Sequence, residues 1–218
     1  MEGPPGAWNP AIKNWLIDHQ GPGYQATEYE IEPDASAASY FFAAAAALGG
    51  SVTIHGLGSS SLQGDVAFVD VLRQMGAEVD QDETSTTVTG TGTLRGGVFD
   101  FTHISDTAQT LAAIAPFADS PVSITGIGFI RGKETDRIAA VVTELQRLGI
   151  QAKEKPDGLV VHPGTPQPGV VQTYDDHRMA MAFALIGLKV PGIEIADPSC
   201  VAKTFPGYWD VLDGLRAT

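Results

Sequence analysis

Cysteine is nearly absent from this 218-residue chain, which contains a single one, Cys200. One thiol cannot form an internal disulfide framework or the clustered thiolates of a structural zinc site, and we interpret Cys200 as a small buried residue. Long apolar runs are also absent. The longest, residues 40–48, has about nine residues, whereas roughly 20 are needed to span a bilayer. The sequence therefore predicts no membrane segment and no disulfide framework.

Basic residues are scarce relative to acidic ones. Thirteen Lys and Arg stand against 26 Asp and Glu, a formal net charge of −13, which argues against a duplex nucleic-acid partner because an acidic surface repels a polyanion. The first residues have neither the basic start nor the apolar centre of a secretory signal, so we expect a cytoplasmic protein. Small anions need only a local cluster of cations. Five of the thirteen cations fall in three short segments: Arg131, Lys133, Arg137, Arg178 and Lys203.

An internal repeat with a period of about 70 residues organises the chain. Each copy opens with an aspartate, at Asp34, Asp106 and Asp176, and continues through a helical run of small or apolar residues into a β-like stretch. Each copy then resumes helical periodicity, and alternating segments with turn residues follow the first two copies. The repeating unit is therefore predicted to be βαβαββ.

The helices of small residues, 35–48 and 107–117, have almost no polar face, which indicates that sheets cover them. We predict an α/β (α+β) domain over residues 31–218, with approximate threefold symmetry, helices inside and sheets outside. Its units are approximately residues 31–100, 101–170 and 171–218, of which the third lacks its closing strand pair. Residues 1–30 lie outside the repeat, and a short helix is predicted there over 11–19.

Residues 131–137 concentrate charge in a loop and the first turn of the long helix of the second copy. Acidic groups suit the start of a helix, but Lys133 and Arg137 gain nothing from the helix dipole there. The two cations are four residues apart, so if both were helical they would project from one side and could bind an anion together.

Two further segments place charge beside apolar helices. Residues 174–181 put Asp176, His177 and Arg178 at the entry to an apolar helix, where ionisable groups are costly unless they are paired or bind a ligand. Lys203 stands shortly before another predicted helix start. If the repeat is symmetric, equivalent loops from the three units meet at one end of the domain, and their cations converge there.

These segments resemble hallmark segments of the EPSP synthase (enolpyruvylshikimate-phosphate synthase) family, in the family's order and spacing. The similar stretches are residues 133–137, 176–181, 202–206, 32–40 and 61–79, within a match that covers about residues 31–216. The resemblance implies a two-domain enzyme with three copies of the unit in each domain and the active site between them. This chain would then be most of the C-terminal half.

The resemblance also implies a reaction. The family transfers the enolpyruvyl group of phosphoenolpyruvate to the hydroxyl of shikimate 3-phosphate and releases phosphate, a step of the shikimate pathway of aromatic amino acid biosynthesis. By matching motif positions, Asp106 would accept the hydroxyl proton, Lys133 would act near the same hydroxyl and in the proton transfers, and Glu134 would be a second proton-transfer group. No metal or organic cofactor is called for.

The same resemblance assigns binding roles. The phosphate and carboxylate of phosphoenolpyruvate would be held by Arg137, Arg178 and Lys203, with Asp176 and His177 lining the same pocket. Several fixed cations suit a substrate that carries up to three negative charges, and Arg and Lys side chains supply them. Asp106 and Lys133 would contact the shikimate substrate.

Two departures from the family pattern bear on substrate binding. Phe129 stands four residues before Lys133, where many members carry an Asn that touches the shikimate substrate. The chain also has no glycine-rich Lys-Ser segment near its start and no Ser-Ser-Gln cluster of the kind that binds the shikimate phosphate. We therefore expect a complementary N-terminal domain or chain as a partner, and weak catalysis without it.

Two alternative functions are compatible with the sequence. The chain could be a non-catalytic module that binds phosphoenolpyruvate-like anions or only pairs with a partner domain. It could also be the related enolpyruvyl transferase of cell-wall synthesis, which acts on a UDP-sugar, although the reactive loop cysteine of that enzyme is not evident here.

Overall fold

The structure is a computed structural model. It describes residues 8–9, 14–15, 28 and 31–216 of the chain. The chain divides into two compact units, Met1–Ile31 and Glu32–Thr218. In the first unit, β1 (Trp8–Asn9) pairs antiparallel with β2 (Asn14–Trp15). The helix predicted over 11–19 is therefore wrong at Asn14 and Trp15, and its other residues lie outside the described ones.

The second unit alternates helices and strands. Its elements in chain order are α1 (Ala35–Leu48), β3 (Ser51–His55), α2 (Phe68–Gln74), β4 (Glu78–Gln81), β5 (Ser85–Thr89), β6 (Gly97–Asp100), α3 (Ala108–Ile114), β7 (Val122–Thr125), α4 (Arg137–Arg147), β8 (Ala152–Lys155), β9 (Gly158–Val161), β10 (Gly169–Val171), α5 (His177–Lys189), β11 (Ile193–Ile195) and α6 (Tyr208–Arg216). Within the described residues, no helix combines the length and the apolar character needed to cross a bilayer.

The predicted repeat is confirmed. From β6 to β9 the elements follow the order βαβαββ, and the first and third repeats reproduce parts of that order among the described residues. The three helices α1, α3 and α5 pack against one another, and side chains such as Ala43, Ala112 and Ala182 are fully buried in them. Helices with so little polar surface are stable only inside a protein, which places them beneath the sheets.

Three sheets carry the strands of the repeats. In the second repeat the strand order is β6-β7-β9-β8, with β6 and β7 parallel and the other pairs antiparallel. The first repeat has the antiparallel order β3-β5-β4, and β10 pairs parallel with β11. Sequence patterns had not separated β4 and β8 as strands. Both are edge strands in which three of the four residues are polar or charged, a composition that protects a sheet edge but gives little strand signal.

The aspartates that open the repeats take two different roles. Asp34 and Asp176 are N-caps, whose carboxylates accept from the Ala37 amide at 3.0 Å and from the Arg178 amide at 2.9 Å. Asp106 lies instead in a 3₁₀ turn (Ser105–Thr107) just before α3. Its carboxylate pairs with cationic side chains from α4 and α5 rather than with the start of its own helix.

Candidate active site

Arg137, the first residue of α4, is the buried centre of a charged cluster. Only 2% of its side chain is exposed. Its guanidinium donates from Nε to Asp176 at 2.7 Å, from Nη1 to Asp106 at 3.2 Å and from Nη2 to Glu134 at 2.8 Å. Asp176 is fully buried as well. Buried charges of this kind are tolerated because each is paired and hydrogen-bonded.

A second layer of the cluster is open to solvent. Arg178 donates to the Asp106 carboxylate at 2.8 Å and to the Asp106 carbonyl at 3.2 Å. Lys203 donates to Glu134 at 3.1 Å and keeps 61% of its side chain exposed, against 33% for Asp106 and 30% for Glu134. Each of these two carboxylates therefore bridges the buried Arg137 and a second cation nearer the surface.

A backbone hydrogen bond and two ion pairs keep Glu134 ionised. Its pKa is lowered to about 2, first by a hydrogen bond from its own backbone amide and then by Lys203 and Arg137. Hydrogen bonds and positive charges that favour the carboxylate over the acid lower a pKa in this way. At neutral pH Glu134 is thus a carboxylate and not a proton donor.

His177 lies beside Asp176 on the buried side of the cluster. It is 4% exposed, and its Nδ1 is 4.0 Å from the Asp176 carboxylate. That nitrogen has no hydrogen-bond partner among the described residues. Burial lowers the pKa of His177, and the charge of Arg178 lowers it further. His177 is therefore neutral at pH 7.

Lys133 is placed differently from the expectation. It follows a 3₁₀ turn (Gly128–Gly132) in an extended conformation, and α4 begins only at Arg137. The condition under which both cations would project from one side of a helix is therefore not met. The Lys133 side chain is exposed, and none of the ion pairs among the described residues includes it.

The structure thus brings together most of the residues singled out by sequence. Ion pairs and hydrogen bonds join six of them: Asp106, Glu134, Arg137, Asp176, Arg178 and Lys203. His177 adjoins this network, and Lys133 lies on the loop that carries Glu134. The cluster is drawn from the starts of α3, α4 and α5 and from the 3₁₀ turn (Pro198–Lys203) before α6.

Sequence reasoning missed two residues that border the cluster. Asp65 accepts a hydrogen bond from the Ser36 hydroxyl. The pKa of Asp65 is raised, mainly by burial and also by the Asp106 carboxylate. Tyr40 on α1 is fully buried, which raises its pKa to about 12, and the Arg178 charge partly opposes that shift. The available signal for Asp65 was its position in the repeat, shortly before α2, the helix that corresponds to α4.

Arg131 and Phe129 lie outside the network. Arg131 donates to Asp136 at 2.8 Å and to Glu154 of β8 at 2.9 Å, so it anchors the 131–137 loop to the sheet. Phe129 is 56% exposed on the 3₁₀ turn before that loop.

Known proteins share both the sequence and the fold. A family model described as EPSP synthase (3-phosphoshikimate 1-carboxyvinyltransferase) matches residues 13–212. Relatives named 3-phosphoshikimate 1-carboxyvinyltransferase are 57% identical in Nostoc punctiforme and 46% identical in Methanosphaerula palustris, each over 189 residues and 87% of this chain. The solved EPSP synthase of Acinetobacter baumannii has a TM-score of 0.74 at 24% identity. The enolpyruvyl transferase NikO of Streptomyces tendae has a TM-score of 0.67 at 25% identity.

The matches cover most of this chain but not of the other proteins. The aligned parts are 44% and 45% of the two relatives, and 46% and 43% of the two solved chains. The chain thus spans about half the length of the curated relatives it matches. Every member of the charged cluster falls within the residues that the family model matches. The chain belongs to the EPSP synthase family.

Proposed function

We propose that this chain supplies the phosphoenolpyruvate-binding half of an enolpyruvyl transferase that acts on the hydroxyl of shikimate 3-phosphate. The observation that carries the proposal is the convergence of cations from three separate segments on two half-exposed carboxylates. A cation cluster of this kind suits an anionic substrate, and the adjacent carboxylates suit proton transfer. The relatives named for this reaction support the same assignment.

Exposure divides the cations into two groups. Arg137 is buried and already donates to three carboxylates. We therefore assign it to the base of the site, where it positions those carboxylates. Lys203 and Lys133 are exposed, and Arg178 retains 14% of its side-chain surface. We assign Arg178 and Lys203 to direct contact with the phosphate and carboxylate of phosphoenolpyruvate, and Lys133 to the substrate hydroxyl and the proton transfers.

Ligand binding would exchange partners within the cluster. Phosphate and carboxylate oxygens of the ligand would take the place of Glu134 on Lys203 and of Asp106 on Arg178, since both contacts lie in the exposed layer. The release of Lys203 removes one of the contacts that lower the pKa of Glu134. Substrate binding would therefore free both carboxylates for proton transfer.

The reaction needs these groups in sequence. The substrate hydroxyl adds to the enol carbon while its proton passes to Asp106, and the methylene carbon gains a proton from the Lys133 ammonium. The tetrahedral intermediate then loses phosphate, and the Lys133 amine takes back a proton of the new methyl group, which restores the double bond. The shikimate substrate itself would be held mainly by a complementary N-terminal domain or chain.

A titration of the purified chain with phosphoenolpyruvate tests the binding part of this proposal. Lys203→Ala should weaken binding about tenfold, because a charge-assisted contact is lost. Lys153→Ala, a matched change on the exposed face of β8, should leave the affinity unchanged. Equal effects of the two changes would contradict the assignment of the site.

A non-catalytic anion-binding or partner-pairing module remains the second candidate. It is favoured by one observation, namely that the cations Lys133 and Lys203 are exposed and can bind an anion whether or not a reaction follows. An anion-binding module of this kind predicts the same binding result but no enolpyruvyl transfer when the complementary half is added.

A further inference from the structure

The chain takes an unusual backbone path directly before the Asp176 cap of α5. Among residues 31–216, Tyr174 and Asp175 are the two non-glycine residues with positive φ, at 56° and 57°. The Asp176 amide donates to the Thr173 carbonyl at 2.9 Å, which closes a four-residue turn around them. Positive φ at both central positions is the pattern of a type I′ turn, which normally uses Asn and Gly.

Tyrosine is poorly suited to this conformation. The left-handed region is unfavourable for side chains with a Cβ, and Asp tolerates it better than an aromatic residue does. Such backbone conformations persist where surrounding contacts impose them, and they cluster at functional sites. Contacts of the Tyr174 side chain must therefore offset the cost of its positive φ.

Glu144 of α4 supplies those contacts. It is fully buried, and its carboxylate accepts from the Tyr174 hydroxyl at 2.6 Å and from the Gln172 amide at 3.0 Å. Tyr174 itself remains 39% exposed, so burial of its ring alone does not explain the position. The carboxylate thus holds the turn at two points, one on the backbone and one on the side chain.

Helix α4 also contacts Asp176, the last residue of the turn. Glu144 is seven residues after Arg137, which places the two side chains on one face of α4. Arg137 binds Asp176 at 2.7 Å, and Glu144 binds Tyr174 and Gln172. A single helix face therefore fixes residues on both sides of the turn that delivers Asp176, His177 and Arg178 to the charged cluster.

We propose that Glu144 and Tyr174 are positioning residues, a clamp that holds the 173–176 turn in its left-handed form and so sets the orientation of Arg178 toward an anion. This inference rests on the proposed function for its ligand. Neither residue belongs to the network of ion pairs in the site. Both act through the backbone that leads to it.

Phosphate binding and amide hydrogen exchange test the clamp together. Tyr174→Phe removes the hydroxyl and keeps the ring. It should weaken inorganic phosphate binding about fivefold to tenfold and speed exchange of the Asp176 amide by a similar factor, because the buried Glu144 carboxylate loses a hydrogen-bond donor. A second change in the same chain, Asp175→Gly, should restore much of the phosphate affinity and much of the protection of the Asp176 amide from exchange. Glycine adopts positive φ without steric cost.

Tyr208→Phe is the matched control. Its hydroxyl donates to the Met181 carbonyl at 2.8 Å in a buried hydrogen bond, and its ring packs against aromatic residues outside the turn, such as Tyr40 and Phe205. This variant should bind phosphate like the unmodified chain, which separates positioning from a general loss of stability.

The outcomes decide between the clamp and the proposed function. Unchanged exchange at Asp176 in Tyr174→Phe overturns the clamp. Faster exchange with unchanged phosphate affinity overturns its role in positioning. If the unmodified chain binds no phosphate, the proposed function fails, and faster exchange in Tyr174→Phe but not in Tyr208→Phe still supports the clamp.

Discussion

Arg137 has two roles in the cluster. It pairs with the carboxylates around it, and it contributes positive charge to the site. Its removal would leave the fully buried Asp176 carboxylate without its cation. Loss of one partner of a buried ion pair destabilises a protein strongly. A weakened anion affinity in an Arg137 variant would therefore not by itself identify a ligand contact, whereas the exposed Lys203 allows a cleaner test.

We predict that Arg137→Ala lowers the free energy of unfolding by about 3–5 kcal/mol. Urea denaturation of the purified chain measures this change. Arg73→Ala is the control, because Arg73 pairs with Asp70 on the surface, with 47% and 58% of the two side chains exposed, and such pairs contribute at most about 1 kcal/mol. Similar losses in the two variants would show that the Arg137 pairs are not buried as described.

Glu134 should make the stability of the fold depend on acid pH. Because its folded-state pKa of about 2 lies below the ordinary value of 4.5, its contribution is fully present above pH 4.5 and is lost as the pH falls toward 2. Glu134→Gln should flatten the decline of melting temperature over that window. Lys203→Met should flatten it in part, since Lys203 is one of the groups that lower this pKa. An unchanged slope in both variants would contradict the pairing.

Sequence predicted the elements best where periodicity and composition agree. The small-residue helices α1 and α3 and the convergence of the charged segments followed from the repeat, because equivalent loops of a symmetric domain meet at one end. The sequence did not predict β8 as a strand. Its Lys and Glu residues are typical of an exposed sheet edge and lack the apolar alternation of a strand that faces the core. The left-handed turn at Tyr174 could not be predicted, because a distant carboxylate, Glu144, imposes it against local preference.

The central helices should tolerate no added volume. Ala112 is fully buried and lies on α3, one of the three inner helices that pack against one another. Ala112→Leu should reduce the free energy of unfolding by about 1–3 kcal/mol through overpacking. Ala67→Leu, at an exposed position before α2, should change it by less than about 0.5 kcal/mol. Denaturant titrations compare the two, and an equal effect would argue against close packing of the helices.

At the scale of the whole molecule, charge is distributed unevenly. The chain carries a net charge of −13, yet four cations gather around one site: Lys133, Arg137, Arg178 and Lys203. The exposed layer of that site remains open to solvent, as the exposures of Lys203 and Asp106 indicate. Catalysis by proximity requires both substrates to be held in a closed site from which water is excluded. A charged cluster that is open to solvent can therefore bind an anionic substrate and still catalyse its reaction slowly.

The most direct test of this account is a steady-state assay of phosphate release from phosphoenolpyruvate and shikimate 3-phosphate. We expect the purified chain alone to fold cooperatively and to show little turnover. A separately produced complementary half of a relative should restore turnover, and Asp106→Asn should abolish it again. If the two halves associate without turnover, or if Asp106→Asn leaves turnover intact, the chain does not supply the catalytic half that we assign to it.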